Sequence, residues 1–348
     1  MAQQMFKFDS SKMNGLKAAS MALKKEMAAD PSVVLMGHDV RTTGGGIGAF
    51  MGISDLYDSE RCVHMPIAEA GNSWFALGAA VAGLRPVIDL AYSDFATLCS
   101  DAIINGAAKI RFNSRGKAKC PIVYFFGNGG NATYGGFSSG NGHEQSMENL
   151  FLNVPGLKVV APYFPSDIYG LLRASIQDDD PVVFLPHRGS AGRGRVPGVN
   201  AEDLTPFDEN HFIPLNNAAN ILREGSDVTI VAISGMVAIA LQAAKELEKE
   251  GIHAEVIDPR VLVPLDSKKI CDSVKKTGRL IIVQEAHRTG GFSGDILSAV
   301  MTTDAANYLK APVKLCAAMN SPIPCGYTAV MMMPHKEDVI AAAKELLK

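Results

Sequence analysis

Apolar, β-branched runs recur along the first half of the chain without the polar alternation of a half-exposed strand. They stand at 32–36, 61–65, 87–91, 121–126, 157–161 and 181–185, with helix-period stretches near 72–83, 95–110 and 165–177 between them. Strands that read as continuous apolar runs are buried on both faces, which is the state of a parallel sheet covered by helices. From Pro186 to about Ser226 the pattern lapses into a Gly-, Pro- and charge-rich stretch of the kind that crosses between domains. A second set follows, with strands predicted at 227–233, 253–257, 279–283 and 313–317 and helices near 236–250, 266–276, 293–302 and 335–347. The expected architecture is α/β: two doubly wound domains, 1–190 and 220–348, joined by a linker over 191–219.

Length agrees with that division, since 348 residues suffice for two domains at roughly 100–200 residues each. A net charge of −3 without a basic stretch argues against nucleic acid or a membrane surface as partner. No run approaches the length of apolar sequence that a membrane span needs. Asp9, Glu26 and Asp30 interrupt the first thirty residues, so no signal peptide is expected. The six cysteines (62, 99, 120, 271, 316, 325) form no CxxC pair, which reads as reduced thiols in the cytoplasm.

The segment MPIAEAGNSWFALGAAVAGLRPVIDL, 65–90, places an acid just after a strand and at the start of a small-residue helix. Ligands bind beyond the carboxyl ends of strands in open α/β sheets, so Glu69 occupies a site position. A plainer role, favouring the positive end of its helix, is equally open. In AYSDFATLCSDAIINGAAK, Ser93 is a candidate N-cap and Phe95 falls in the first turn at the same sheet edge. Phe95 is placed either to stack on a heterocycle or to pack in the core. The loop GNGGNATYGGFSSGNGH, 127–143, is dense in Gly, Asn and Ser, as binding or gating loops are. His143 at its end is a candidate catalytic group or a solvated histidine. The stretch TTGGGIG, 42–48, lacks the Lys-Ser/Thr of a phosphate loop. No nucleophile elbow (a GxSxG turn between a strand and a helix), HExxH or GxGxxG signature is present, and the other histidines show no metal-ligand spacing.

PIAEAG, GAAVAGLRPV and DFATLCSDAIINGAAK together resemble the β subunit of thiamine-diphosphate-dependent 2-oxo acid dehydrogenases, the E1 components acting on pyruvate, branched-chain 2-oxo acids and acetoin. The likeness continues through VPGLKVVAPYFPSDIYGLLRASIQDDDPVVF, EVIDPRVLVPLD and IIVQEAHRTGGFSGDI, in order over nearly the whole chain. The resemblance implies a transketolase-type pyrimidine-binding domain followed by a transketolase-type C-terminal domain. It implies an oxidoreductase that decarboxylates or cleaves its small-molecule substrate and passes the acyl group to a lipoyl acceptor.

By the same resemblance Glu69 contacts N1′ of the aminopyrimidine, where a desolvated carboxyl group with a raised pKa would share a proton with the ring. Phe95 would stack on that ring, Ile67 and Ala91 would complete its contacts, and His143 would assist acyl transfer. A potassium ion would be held by backbone carbonyls and an Asp among Ile122, Ser175, Ile176, Asp178 and Asp180, although Asp178–Asp180 reads equally as a solvated turn. The GDG…Asn signature that holds Mg²⁺ and diphosphate in such enzymes is absent, Gly294-Asp295-Ile296 being a poor substitute. The chain is therefore expected to need an α subunit in an α2β2 heterotetramer, with a lipoyl acyltransferase, E2, as further partner. Departures from the family pattern lie around the channel: His38 in place of an acid, a longer polar loop at 127–142, and Glu144-Gln145 after His143. Two other readings stay open, half of a split transketolase (with Arg188, Arg193 and Arg195 as phosphate clamp) and a non-catalytic scaffold.

Overall fold

The computed structural model describes residues 8–10, 13–130, 138–191 and 206–348. In chain order its strands are β1 (Val33–Gly37), β2 (Cys62–His64), β3 (Arg85–Tyr92), β4 (Val123–Gly127), β5 (Ser138–Ser139), β6 (Lys158–Val160) and β7 (Val182–Phe184). They continue as β8 (Asn220–Arg223), β9 (Val228–Ala232), β10 (Ala254–Asp258), β11 (Val261–Val263), β12 (Leu280–His287), β13 (Lys314–Ala318) and β14 (Cys325–Gly326). The helices are α1 (Gly15–Ala29), α2 (Glu69–Val81), α3 (Ala96–Ser100), α4 (Ile110–Asn113) and α5 (Pro165–Gln177). In the second half they are α6 (Met236–Glu248), α7 (Ser267–Thr277), α8 (Ser293–Met301) and α9 (Lys336–Leu346).

The first sheet has seven strands in the order β11-β6-β7-β4-β3-β1-β2, parallel except at β11. The second has five, β13-β12-β9-β10-β8, parallel except at β8. Every residue of β1, β4, β9 and β10 is buried, as strands covered on both faces are, although β9 carries Thr229 and β10 carries Glu255 and Asp258 into that burial. Helix bounds agree with sequence expectation wherever punctuation is strong. Pro165 opens α5, Asp266 accepts from the Lys269 N–H at the start of α7, and left-handed Gly278 closes it.

Three features depart from the sequence reading. Helix α1 packs on α5, where the buried Glu26 carboxylate meets Arg173 at 2.6 Å and also accepts from Gln177. Strand β11 belongs to the second half of the chain but pairs antiparallel with β6 of the first sheet, so the two halves share a sheet. The helix expected over 95–110 changes pitch repeatedly, from a 3₁₀ turn at Ser93–Phe95 through α3 and a π-helical stretch at Asp101–Gly106. It continues through a second 3₁₀ turn (Ala107–Lys109) into α4. Close packing accompanies the change of pitch, since a Cβ at Gly106 would lie 2.6 Å from Leu77 of α2.

Asp89 shapes the carboxyl edge of the first sheet. Its buried carboxylate accepts from the N–H of Ala91 and the N–H of Gly46, each at 2.9 Å. Ala91 has φ +60°, and the pairing of β3 with β4 slips between Asp89 and Tyr92, so the strand ends in a bulge. A Cβ at Gly45 would overlap the Asp89 carboxylate, and one at Gly46 would lie 2.3 Å from Ala91 Cβ. Glycine at both positions lets the 44–48 turn close on the strand end. Burial pushes the Asp89 carboxyl up to about 6, against the pull of the Ala91 and Gly46 N–H groups and of His38. Because the folded value lies above the 3.8 of an unperturbed aspartate, stability from this group is complete below that ordinary value and is lost as pH rises through about 6. The carboxyl resonance of Asp89 should titrate near 6, and Asp89→Asn should lack that fall in stability, as read by urea unfolding from pH 4 to 7.5.

Candidate active site

The chain runs outward from β1 to β2 and then returns to the other side of β1 to form β3. A crevice opens at such a switch point, beyond the carboxyl ends of the strands. Glu69 is the first residue of α2, just past the end of β2, where the positive end of the helix favours a carboxylate. The turn before it is fixed by Asn72, whose amide donates to the Pro66 carbonyl at 2.8 Å. Glu69 is half-buried, and Ile67 is 75% exposed beside it. Cys99 ties this side of the crevice to the next: its thiol donates to the Phe95 carbonyl (3.7 Å). Burial raises that thiol to about 11, with the Glu69 charge adding to the rise.

Across the crevice, Tyr92, Phe95 and His143 form one cluster, although they come from a strand end, a helix start and a loop end. The His143 ring lies edge-on to Tyr92 at 4.8 Å and to Phe95 at 5.5 Å, and Tyr92 meets Phe95 at 5.6 Å. The Arg188 guanidinium covers Tyr92 at 4.6 Å, donates to the His143 carbonyl and pairs with Glu144 at 3.2 Å. Ser93 Oγ donates to the Gln145 carbonyl (2.9 Å), and the Gln145 N–H points at Asp94 (3.4 Å). Burial raises the Asp94 carboxyl to about 6. Sequence reasoning singled out Glu69, Phe95 and His143 but not Tyr92, Asp94 or the bracing contacts of Arg188. Asp94 lies beside Phe95, which was the available signal. The middle of the 127–143 loop, residues 131–137, and the linker arginines Arg193 and Arg195 lie outside the described residues.

The residues expected to hold potassium gather at the opposite, amino-terminal edge of the sheet. Arg85 Nη1 donates to the Ile176 and Asp178 carbonyls (3.2 and 3.0 Å), and its Nη2 pairs with Asp179 at 2.8 Å. Lys158 meets Asp178 at 2.6 Å, and Arg111 pairs with Asp180. The Ile122 carbonyl accepts from the Val182 N–H (2.9 Å), while Ser175 Oγ donates to Leu171. Asp178 and Asp180 are therefore neither open carboxylate ligands nor a solvated turn; they are neutralised by nearby cations. The Ile122, Ile176 and Asp178 carbonyls each retain a second lone pair, so the carbonyl part of the set suits a hard monovalent ion. Among the described residues no three His, Cys, Asp or Glu side chains converge as metal ligands. A groove of about 870 Å³ opens at this edge between Phe112, Leu157, Val263 and Pro264, away from Glu69 and Phe95.

At the crevice itself the donor set is one carboxyl group (Glu69), one aromatic face (Phe95) and the strand-end backbone at Ala91. Those groups match a ring nitrogen, a π face and an exocyclic amine, and so fit an aminopyrimidine. Among the described residues nothing comparable fits a diphosphate. The 42–48 stretch spends its Gly46 N–H on Asp89, and Gly294-Asp295-Ile296 opens α8 in the second half. Trp74, Phe75 and Leu98, 44%, 57% and 55% exposed, leave an apolar surface on α2 and α3. No helix among the described residues is long and apolar enough to cross a membrane.

The chain matches the transketolase pyrimidine-binding domain over residues 11–193 and the transketolase C-terminal domain over 217–339. It is 41% identical over 329 residues to the mitochondrial pyruvate dehydrogenase E1 component subunit beta-2 of Oryza sativa subsp. japonica, covering 94% of this chain and 84% of that one. It is 37% identical to the β subunit of the acetoin:2,6-dichlorophenolindophenol oxidoreductase of Bacillus subtilis, covering 95% and 96% of the two chains. To the 2-oxoisovalerate dehydrogenase subunit beta of the same organism it is 35% identical, covering 97% and 99%. The fold is also that of a split-gene transketolase solved as an inactive β4 tetramer, with TM-score 0.74, 22% identity and coverage of 96% and 98%. With the crevice, its carboxyl group and its aromatic cluster in place, the chain belongs to the family of E1 β subunits of pyruvate, acetoin and branched-chain 2-oxo acid dehydrogenases.

Proposed function

We propose that this chain, joined to an α subunit in an α2β2 heterotetramer, completes a thiamine-diphosphate site that decarboxylates a 2-oxo acid or cleaves acetoin. The acyl product then passes to the lipoyl group of an E2 acyltransferase. The observation that carries this reading is that, among the described residues, the crevice offers a carboxyl group and an aromatic face but no diphosphate cradle, and that α2 and α3 beside it keep an apolar surface uncovered. Thiamine diphosphate, when bound, supplies the electron sink for loss of CO₂. Glu69 holds a proton at N1′ once the partner subunit excludes water from it. Phe95 orients the ring, Ala91 offers its strand-end backbone to the exocyclic amine, and Ile67 adds apolar contact at the rim.

His143, braced by Tyr92, Phe95 and Arg188, moves a proton during transfer to the lipoyl sulfur. Mg²⁺ and diphosphate belong to the α subunit. A potassium ion at the amino-terminal edge would rest on the Ile122, Ile176 and Asp178 carbonyls and serve structure rather than chemistry. All six cysteines are unpaired, which suits a reducing compartment such as the cytoplasm. The split-transketolase reading loses Arg188 from its phosphate clamp, since that side chain is committed to Glu144 and the His143 carbonyl.

Reconstituted with its α partner, thiamine diphosphate and Mg²⁺, the wild type should decarboxylate a 2-oxo acid with an artificial electron acceptor. Glu69→Ala should lower that rate by about 10²–10⁴-fold, the usual worth of a positioned proton-transfer group, while assembly is unchanged by size-exclusion chromatography. Turnover equal to wild type would remove Glu69 from the mechanism. His143→Ala should spare decarboxylation with the artificial acceptor and slow lipoyl acylation by about 10²-fold or more; equal losses in both assays would contradict that division.

A further inference from the structure

His187 and Glu285 lie buried where the two halves of the chain meet. Their side chains are 0% and 2% exposed, and Nε2 of His187 stands 2.6 Å from Oε2 of Glu285. His187 follows β7 of the first sheet, whereas Glu285 sits on β12 of the second. The tautomer is fixed by the other ring nitrogen: Nδ1 accepts from the Gly189 N–H at 3.0 Å, so Nε2 carries the proton and donates to the carboxylate. The second carboxylate oxygen accepts from the Gly130 N–H at 2.6 Å. Glu285 therefore reaches out of the C-terminal half and grips the outgoing arm of the loop that ends in His143.

The grip has no slack. A Cβ at Gly129 would lie 2.5 Å from His187 Nε2, and one at Gly130 would lie 2.6 Å from a Glu144 carboxylate oxygen. A Cβ at Gly235, at the start of α6, would also lie 2.6 Å from His187 Nε2. Around it the same arm is knitted in place. Asn128 exchanges backbone hydrogen bonds with Pro186 and Arg188, both at 3.0 Å, and its side chain joins the buried Glu148 to the Met147 N–H. The Gly129 N–H donates to the Gln145 carbonyl, just beyond His143.

We propose that Glu285 and His187 are positioning residues for acyl transfer: an interdomain carboxylate–imidazole latch that fixes the Gly127–Gly130 arm and, through Gln145 and Arg188, the place of His143 over Phe95. The proposal rests on the acyl-transfer role given to His143 above. Neither residue touches the crevice, so the latch acts through the loop. Its effect should fall on the step that uses His143 and not on the step that uses Glu69.

Glu285→Gln tests this without changing side-chain volume. A carboxylate accepts from two donors at once; an amide has one accepting oxygen and turns its NH₂ toward either Gly130 N–H or His187 Nε2–H. Switching the His187 tautomer only moves the clash to Gly189, so one buried donor stays unmatched. In the reconstituted enzyme, Glu285→Gln should keep decarboxylation with an artificial acceptor within about threefold of wild type and lower lipoyl acylation by about tenfold or more. Combined with His143→Ala it should add nothing to the acylation loss of His143→Ala alone.

Amide hydrogen exchange on the full chain gives a readout independent of turnover. Gly129, Gly130 and Gln145 should exchange about tenfold faster in Glu285→Gln, with β9 and β10 unchanged. Loop amides as protected as in wild type, or faster exchange throughout the chain, would overturn the latch. Equal losses in both activity assays, or full additivity with His143→Ala, would overturn its positioning role. A wild-type enzyme without decarboxylation would instead remove the proposed function, and the exchange result would still decide the latch.

Discussion

Parallel strands that stop at one edge leave backbone N–H groups that need partners, and the buried side chain of Asp89 takes two of them, Ala91 and Gly46. This choice sets the rest of the edge. It turns Ala91 into a left-handed conformation, ends β3 in a bulge, and pulls the 44–48 turn down onto the strand so that only glycine fits. Tyr92 and Phe95 then leave the sheet in the directions that let them enclose His143. A carboxyl group held in this way is protonated more readily than an exposed one, because burial outweighs the bonds it receives.

The two halves of the chain are not independent blocks around that edge. β11 leaves the second half to pair with β6, and Arg260 just before it meets Asp167 of α5 at 2.8 Å. Glu285 reaches His187 and Gly130 from the other side. At the amino-terminal edge, Arg85, Lys158, Arg111 and Lys119 neutralise Asp178, Asp179 and Asp180 in a cluster joining β3, β6 and α4 to the turn after α5. One edge of the sheet is thus locked by charge, and the other is left open for chemistry. On the reading proposed above the open edge is half a site, and ring contacts together with the Arg188 guanidinium brace its aromatic cluster.

The strands and most helices were legible because burial on both faces writes an unbroken apolar run into the sequence, and because Pro165, Asp266 and Gly278 punctuate helix ends. β11 was not, since three residues carry no period and its partner β6 is remote in sequence. β8 was lost for a similar reason at the end of the patternless stretch that runs from Pro186 to about Ser226, where its half-buried residues make no apolar run. The helix expected over 95–110 exists, but its changes of pitch answer to Trp74 and Leu77 on another helix, which local sequence does not record. Glu69 and Phe95 were legible as residues just past strand ends. Their neighbours Tyr92, Asp94, Arg188, His187 and Glu285 were not, because only the strand order brings those positions together. Asp178 and Asp180 illustrate the same limit: their cationic partners sit on three other elements.

The central claim is that this chain supplies the ring-binding half of a cofactor site and leaves the diphosphate to a partner. Calorimetric titration of thiamine diphosphate with Mg²⁺ into the chain alone, and into the chain assembled with its α subunit, tests it most directly. The expected result is no saturable binding to the chain alone below millimolar concentration and tight binding, one cofactor per αβ pair, to the assembly. Equally tight binding to the isolated chain would contradict it.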